Sequence, residues 1–228
     1  MKSLIIIPAY NEQENIIKVI DEIEKTATQF DYIIVNDCST DLTSTMLAKR
    51  KCIVINLPIN LGIGGAVQTG YKYAFEKGYD YAVQVDGDGQ HNPHYLEIML
   101  NQMIEEKADM VIGSRFINKK GFQSSGIRRI GIKYFTRLIR FLTGVAITDP
   151  TSGLRLVNKK CIELFARYYP KDYPEPESIV MLLKKKMKVV EVPVIMRERT
   201  GGISSISALK SIYYMIKVTI AILMEKLR

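Results

Sequence analysis

Short apolar runs recur along the first half of the chain, and each is closed by polar or turn-forming residues. They lie at Leu4–Pro8, Tyr32–Val35, Cys52–Leu57, Tyr81–Val85 and Met110–Ile112. Helix-compatible stretches separate them at Glu14–Phe30, Leu42–Lys49, Gly65–Lys77 and Pro93–Glu106. Near-continuous apolar strands alternating with helices predict an α/β fold, a mainly parallel sheet flanked by helices on both faces. Ligands of such sheets bind beyond the carboxyl ends of the strands. Those ends read AYNE, NDCSTD, NLG, DGDGQ and GSRF, so one polar rim is predicted to carry the chemistry.

The pattern changes after the fifth run. No acidic residue falls between Met110 and Thr148, whereas Arg115, Lys119, Lys120, Arg128, Arg129, Lys133, Arg137 and Arg140 all do. Arg129, Lys133, Arg137 and Arg140 recur at helical spacing, with Ile130, Tyr134, Leu138, Phe141 and Leu142 between them. This predicts a basic amphipathic helix, which suits either a solvated charged face or an anionic membrane surface. The tail from Ser207 to Arg228 is apolar around much of its circumference but interrupted by Lys217. It is shorter than the ~20 apolar residues that a spanning helix needs. A helix docked on the domain, an interfacial helix and a surface for a membrane-embedded partner all fit it.

Composition narrows the picture only slightly. The chain of 228 residues is 47% hydrophobic and 25% charged, which fits one large globular domain. A net charge of +8 points to an anionic partner: nucleic acid, phosphate ligands or a membrane surface. No aromatic-rich RNA signature or recognisable DNA-reading motif accompanies the charge, so nucleic acid is not expected. Three cysteines, Cys38, Cys52 and Cys161, lie scattered and without CxxC spacing, as in a reducing cytoplasmic compartment. The opening MKSLIIIPAYNE reads as a first strand and is too short for a secretory signal.

The candidate chemistry centres on AVQVDGDGQHNP, where an apolar strand ends in Asp86 and Asp88 with one glycine between them. Two adjacent carboxylates repel each other, and a shared divalent cation would relieve that repulsion. Nucleotidyltransferases, phosphatases and calcium sites all use such pairs, although an EF-hand would need further oxygen ligands and a closing glutamate. An Asp-Gly turn is the plain structural alternative. Asn11, Asp41 and Asn92 are expected as helix caps, and His91 as a surface imidazole.

Taken together, IIIPAYNE, IIVNDCSTD, NLGIGGA, DGDGQHNP and GSRF resemble the family 2 glycosyltransferases. DPTSGLR at Asp149–Arg155 and RERTGGISS at Arg197–Ser205 are similar to the branch of dolichol-phosphate mannose synthase and bacterial polyprenyl-phosphate sugar transferases. The resemblance runs from residue 4 to about residue 206. It implies a single Rossmann-like GT-A domain over 1–206, with residues 207–228 as a C-terminal amphipathic helix. It also implies a nucleotide-sugar donor and a divalent metal, Mg²⁺ or Mn²⁺. Pro8, Tyr10 and Glu12 would line the nucleotide pocket, with Asp37 near the base and ribose and Gly64 beside phosphate or sugar. Family members often carry two acids where this chain has Asn36 and Asp37. Asp86 would meet the nucleotide or sugar, and Asp88 with Gln90 would ligate the metal.

On the acceptor side the resemblance assigns Arg115, Arg128, Arg129, Arg199 and Ser205 to a lipid phosphate or the donor diphosphate. Asp149 and Glu177 are further catalytic candidates, acting as a base or orienting the sugar or an arginine. Glu175, the other acid of YPEPE, is equally open. The expected activity is inverting transfer of a hexose from a nucleotide diphosphate sugar to a polyprenyl phosphate, in cell-envelope polysaccharide synthesis. The alternative acceptor is a hydroxyl of a cell-surface glycan or lipid-linked saccharide. A UDP-sugar is slightly preferred over GDP-mannose. The chain is expected at the cytoplasmic face of the membrane as a peripheral protein, with a small membrane protein as a further possible partner.

Overall fold

The computed structural model describes residues 1–121, 126–198 and 208–227. In chain order the elements are β1 (Ser3–Ala9), α1 (Ile16–Thr26), β2 (Asp31–Asn36), α2 (Thr43–Leu47), β3 (Ile53–Asn56), α3 (Gly62–Glu76), β4 (Tyr81–Gln84) and α4 (Tyr95–Glu106). There follow β5 (Met110–Ser114), α5 (Gly126–Thr143), β6 (Arg155–Asn158), α6 (Lys159–Arg167), α7 (Pro174–Lys184), β7 (Val189–Pro193) and α8 (Ala208–Leu227). The seven strands form one sheet in the order β3-β2-β1-β4-β6-β5-β7. Only β6 runs against its neighbours, pairing antiparallel with both β4 and β5.

The central strand shows why the layers form. Every residue of β1 is buried, as a strand covered on both faces requires. Leu4 and Ile6 enter one core with Val67 and Tyr71 of α3, Phe135 of α5, Phe165 of α6 and Ile179 of α7. Ile5 and Ile7 enter the other with Ile16 and Ile20 of α1 and Met99 of α4. Each large aliphatic side chain taken fully out of water contributes roughly 1.5–3 kcal/mol, so two cores divided by one sheet fix the register.

The strands and helices expected in the first half are all present, with ends displaced by a few residues. The second half adds β6 and β7, which the apolar pattern does not announce. β6 is four residues long and opens on a buried arginine, and β7 carries Glu191 in its middle. Both were legible only once neighbours existed to pair with them. The helices hold their ends by local chemistry: Asn158 caps α6 by accepting the Cys161 N–H at 3.1 Å. Pro174 opens α7, with Glu175 and Glu177 in the first turn, where carboxylates suit the helix dipole. The tail forms α8, which packs on α7 and α5 and buries Val218 and Ile222.

Gly64, near the start of α3, shows how tightly the layers meet. Its N–H donates to the Lys171 carbonyl at 3.1 Å. A Cβ there would lie 2.1 Å from that oxygen and 2.2 Å from the Pro170 oxygen. Gly64→Ala is therefore expected to lower unfolding free energy by about 1–3 kcal/mol in urea titrations. Gly126→Ala, with nothing within 4 Å of the new methyl, should not.

Candidate active site

The rim begins where β1 and β2 end. Asp37 is buried; its N–H donates to the Ala9 carbonyl at 2.9 Å, and its Oδ1 accepts the Leu61 N–H at 2.7 Å. One carboxylate thus ties together β1, β2 and the entrance to α3. Asn36 beside it donates its amide to Ser44 Oγ at 2.6 Å and to Asn56 Oδ1 at 2.8 Å. An acid in that place would bring no hydrogen for the Asn56 oxygen. Glu12 accepts Asn15 Nδ2 at 2.9 Å, and its backbone N–H donates to Thr43 Oγ1 at 2.9 Å. Pro8 is buried within β1, whereas Tyr10 is 47% exposed at the mouth.

Asp41 and Asn92 accept the N–H groups two residues on, of Thr43 and His94. The N-cap positions of α2 and α4 are Leu42 and His94, neither with a side-chain capping bond, so the expectation of helix caps is corrected to turn residues. Asn11 does not cap a helix. It takes a positive φ of 55° and accepts the Thr40 N–H at 2.8 Å, joining the β1 loop to the β2 loop.

The loop after β4 presents the two aspartates. Asp86 Oδ1 accepts Gln84 Nε2 at 2.8 Å, and the Asp86 N–H donates to His91 Nδ1 at 3.0 Å. His91 is only 5% exposed, so the expectation of a surface imidazole is corrected. The ring turns inward to accept the Asp86 amide, and Nε2 then lies 3.7 Å from Asp86 Oδ2. Asp88 Oδ1 accepts the Gln90 N–H at 3.0 Å, a turn-stabilising bond. Gln90 is sewn to the segment after β7: its Nε2 donates to the Arg197 carbonyl at 3.2 Å, and its own carbonyl accepts the Arg197 N–H at 3.0 Å.

These groups fit a hard divalent cation only with help from substrate. Among the described residues no cluster of three or more His, Cys, Asp or Glu side chains could hold a metal by itself. Mg²⁺ and similar ions are commonly held by one or two carboxylates plus water and substrate phosphates. Asp88, with the oxygen of the Gln90 side chain, would supply a donor set of that kind.

The opposite wall is an ion-pair network on the turn that precedes β6. Arg115 Nε donates to Asp149 Oδ2 and Nη2 to Asp149 Oδ1, both at 2.7 Å. The Arg115 N–H adds a bond to Oδ2 at 3.1 Å, and Nη2 also reaches Thr151 Oγ1 at 3.0 Å. Asp149 is fully buried. Behind it, Glu191 of β7 accepts the N–H groups of Thr148 at 2.7 Å and Asp149 at 2.8 Å, and the Thr148 hydroxyl at 3.0 Å. Burial pushes the Glu191 carboxyl above its ordinary range and Asp149 adds to that, while the donated hydrogen bonds oppose it. Gly153 lets the turn approach the aspartates, since a Cβ there would sit 2.8 Å from Asp86 Oδ2.

The first turn of α7 closes the site from below. Burial raises the Glu175 carboxyl; Arg155 counters this, and the nearby Asp86 charge adds to it. Glu177 is engaged elsewhere, accepting the Tyr168 hydroxyl at 3.4 Å. Arg129 stands exposed on α5. The Arg128 side chain, Arg199 and Ser205 lie outside the described residues.

The family profile described as glycosyl transferase family 2 matches residues 4–165. The chain belongs to this family. The UDP-N-acetylglucosamine–dolichyl-phosphate N-acetylglucosaminyltransferase of Methanococcus voltae is 31% identical over 213 residues, covering 83% of each chain. The polyprenol monophosphomannose synthase of Mycolicibacterium smegmatis is 29% identical, covering 90% of this chain and 81% of its own. The undecaprenyl-phosphate mannosyltransferase of Micrococcus luteus is 30% identical, covering 91% and 88%. In fold, the chain is similar to glucosyl-3-phosphoglycerate synthase from Mycobacterium tuberculosis, crystallised with Mn²⁺, UDP and phosphoglyceric acid. The TM-score is 0.74 at 18% identity, covering 99% of this chain and 78% of that one. The domain is thus a GT-A glycosyltransferase fold.

Within this family 2 domain the structure brings Glu12, Asp37, Asp86, Asp88, Arg115 and Asp149 to one rim. It also adds Arg155, Glu191 and Gly153, which sequence reasoning did not assign, and it brings Glu175, which that reasoning left open, near Asp86. The motif DPTSGLR contained two of them, but nothing in it says that Arg155 turns inward or that Gly153 touches Asp86. Gly64 is filled by the Pro170–Lys171 backbone, which accounts for that glycine without a ligand. Asp149→Asn leaves the largely buried Arg115 without its counter-charge, and unfolding free energy should drop by about 3 kcal/mol. Urea denaturation checks this; an unchanged midpoint would refute the pairing.

Proposed function

We propose that the chain is an inverting, divalent-metal-dependent hexosyltransferase that moves a sugar from a nucleotide diphosphate donor to a polyprenyl phosphate. The observation that carries this reading is the state of Asp149. Both oxygens of this buried carboxylate already accept hydrogen bonds from Arg115, so it is engaged with a guanidinium and not turned to a substrate hydroxyl. A hydroxyl acceptor needs a base, whereas a phosphate monoester already bears its negative charge. The names of the polyprenol, undecaprenyl and dolichyl phosphate relatives support the same acceptor class.

In this reading a phosphate oxygen attacks the anomeric carbon from the face opposite the leaving nucleoside diphosphate. One bond forms as the other breaks, so the anomeric configuration inverts. Asp88 and Gln90 would hold Mg²⁺ or Mn²⁺, which offsets charge on the departing diphosphate. Asp37, Glu12, Pro8 and Tyr10 border the nucleotide, and Asp86 faces the sugar. Arg115, fixed by Asp149, with Arg128, Arg129, Arg199 and Ser205, would hold the acceptor phosphate; a guanidinium suits that task through its paired donors. A UDP-sugar is the proposed donor.

A second reading rests on Glu175. Burial raises its carboxyl and Asp86 lies nearby; a carboxylate so placed would be the base if the acceptor were a hydroxyl of a glycan. The two acceptors separate in one assay: nucleotide release from UDP- and GDP-sugars with Mn²⁺, with and without a short polyprenyl phosphate, with Asp88→Ala as the blank. Release that needs both one donor and the lipid phosphate is expected. Glu175→Gln should then keep most of the turnover; donor turnover that ignores the lipid phosphate, proceeds on a glycan acceptor and falls roughly 10²–10⁴-fold in Glu175→Gln would mark a base and the hydroxyl reading.

Access to a lipid acceptor calls for a membrane-facing surface, and α5 is the candidate. Ile130 is 67% exposed and Phe141 86% exposed, on the side of α5 away from buried Phe135 and Ile139. Arg129, Lys133, Arg137 and Arg140 border them, all exposed. On neighbouring α8, Ile216, Ile220 and Met224 are also exposed. Among the described residues no helix is long and apolar enough to cross a membrane, so we propose peripheral docking at the cytoplasmic face. Each cation near an anionic surface contributes about 1 kcal/mol, so Lys133→Ala with Arg137→Ala should weaken partition to anionic vesicles roughly 30-fold at low salt. Sedimentation of folded protein checks this; equal pelleting of both proteins would sink the α5 surface.

A further inference from the structure

Arg155 is a full-length cation with 0% exposure, and among the described residues its guanidinium donates to no carboxylate. Nε donates to the Ser152 carbonyl at 2.7 Å and Nη2 to the Pro150 carbonyl at 2.9 Å. Nη1 donates to the Glu175 carbonyl at 2.6 Å and Ser178 Oγ at 2.9 Å. Burying a guanidinium costs several kcal/mol in lost hydration, and a well-packed apolar residue usually serves stability as well or better. What an apolar residue cannot do is hold the carbonyls of two separate segments at once.

Those segments are the turn 149–153 and the opening of α7. The same turn is gripped from its other side by Glu191, through the Thr148 and Asp149 amides and the Thr148 hydroxyl. Ser152 Oγ anchors its base to the Gly113 carbonyl at 2.6 Å. A donor fork below and an acceptor carboxylate beside therefore bind complementary backbone groups of one short turn. The free carbonyls go to the cation and the free amides to the anion.

We propose that Arg155 and Glu191 form a two-sided clamp that positions Asp149, and through it Arg115, while α7 is tied to the same fork. Both are positioning residues: Arg155 is sealed from the open rim, and Glu191 acts on the site through the Thr148 and Asp149 amides and the Thr148 hydroxyl. The clamp rests on the reading of Arg115 and Asp149 as part of the reaction site. Lysine at position 155 would keep the charge but has no planar fork to span both segments. Glutamine at position 191 would turn an NH₂ toward one of the backbone N–H groups that a carboxylate oxygen now accepts.

The test compares Arg155→Lys, Glu191→Gln, Asp149→Asn and the double variant Glu191→Gln/Asp149→Asn in the full chain. It uses the sugar nucleotide and short polyprenyl phosphate that support nucleotide release, with rates corrected for the folded fraction by urea titration. Displacing a reacting group by an ångström can cost about 10²-fold. Arg155→Lys and Glu191→Gln should each lower kcat roughly 10- to 100-fold with the donor KM little changed. Glu191→Gln should cost nothing further once Asp149 is already Asn, because both act through one turn. Should Arg155→Lys not fold, Glu191→Gln and its double variant carry the test. Wild-type kcat per folded molecule in both single variants, beside a disabled Asp149→Asn, overturns the clamp alone. Wild-type turnover in Asp149→Asn overturns the site reading and the clamp with it.

Discussion

The paired bonds between Arg115 and Asp149 are what the architecture of this site depends on. Several carboxylates converge at the carboxyl ends of the strands, and Asp149 is taken wholly out of water among them. An unpaired anion there would have lost its hydration with nothing in return. The guanidinium replaces that hydration with paired hydrogen bonds, and in doing so is held against Phe116 and the end of β5. Cation and anion lie 34 residues apart in the chain, so the pair also joins β5 to the turn before β6.

That junction requires the one antiparallel strand. β6 enters between β4 and β5, with Gln84 opposite Arg155 and Ile112 opposite the same residue on the other side. Reversing its direction delivers the turn 149–153 to the rim, beside Asp86, instead of to the far edge of the sheet. An all-parallel arrangement would have carried that turn to the opposite end. The cost is a strand of only four residues with a buried cation, stabilised by neighbours on both sides.

Charge is managed differently on the two sides of the molecule. At the rim, anions are neutralised by arginine, by backbone amides and by the side chains of Gln84 and Asn15. On α5 the cations stay in water beside exposed apolar side chains, where each is cheap to keep hydrated. The first arrangement suits orientation of small charged groups; the second suits contact with an extended anionic surface.

Much of this was written in local sequence. The alternation of apolar runs with helical stretches specified the parallel half of the sheet, because strands buried on both faces must be apolar throughout. DGDGQ, GSRF and DPTSG announced a rim of carboxylates and cations, since acids at strand ends have no packing purpose. The sequence pattern also marked α5 as amphipathic before its partners were known. Tertiary structure alone decided the rest: that β6 runs antiparallel, that His91 turns inward to the Asp86 amide, that Glu175 and not Glu177 lies near Asp86, and that Arg155 and Glu191 grip one turn from two sides. Each of these depends on groups distant in the chain meeting in a particular direction. Hydrophobic periodicity reports which face of an element is buried, but it carries no information about which polar group waits on the other side.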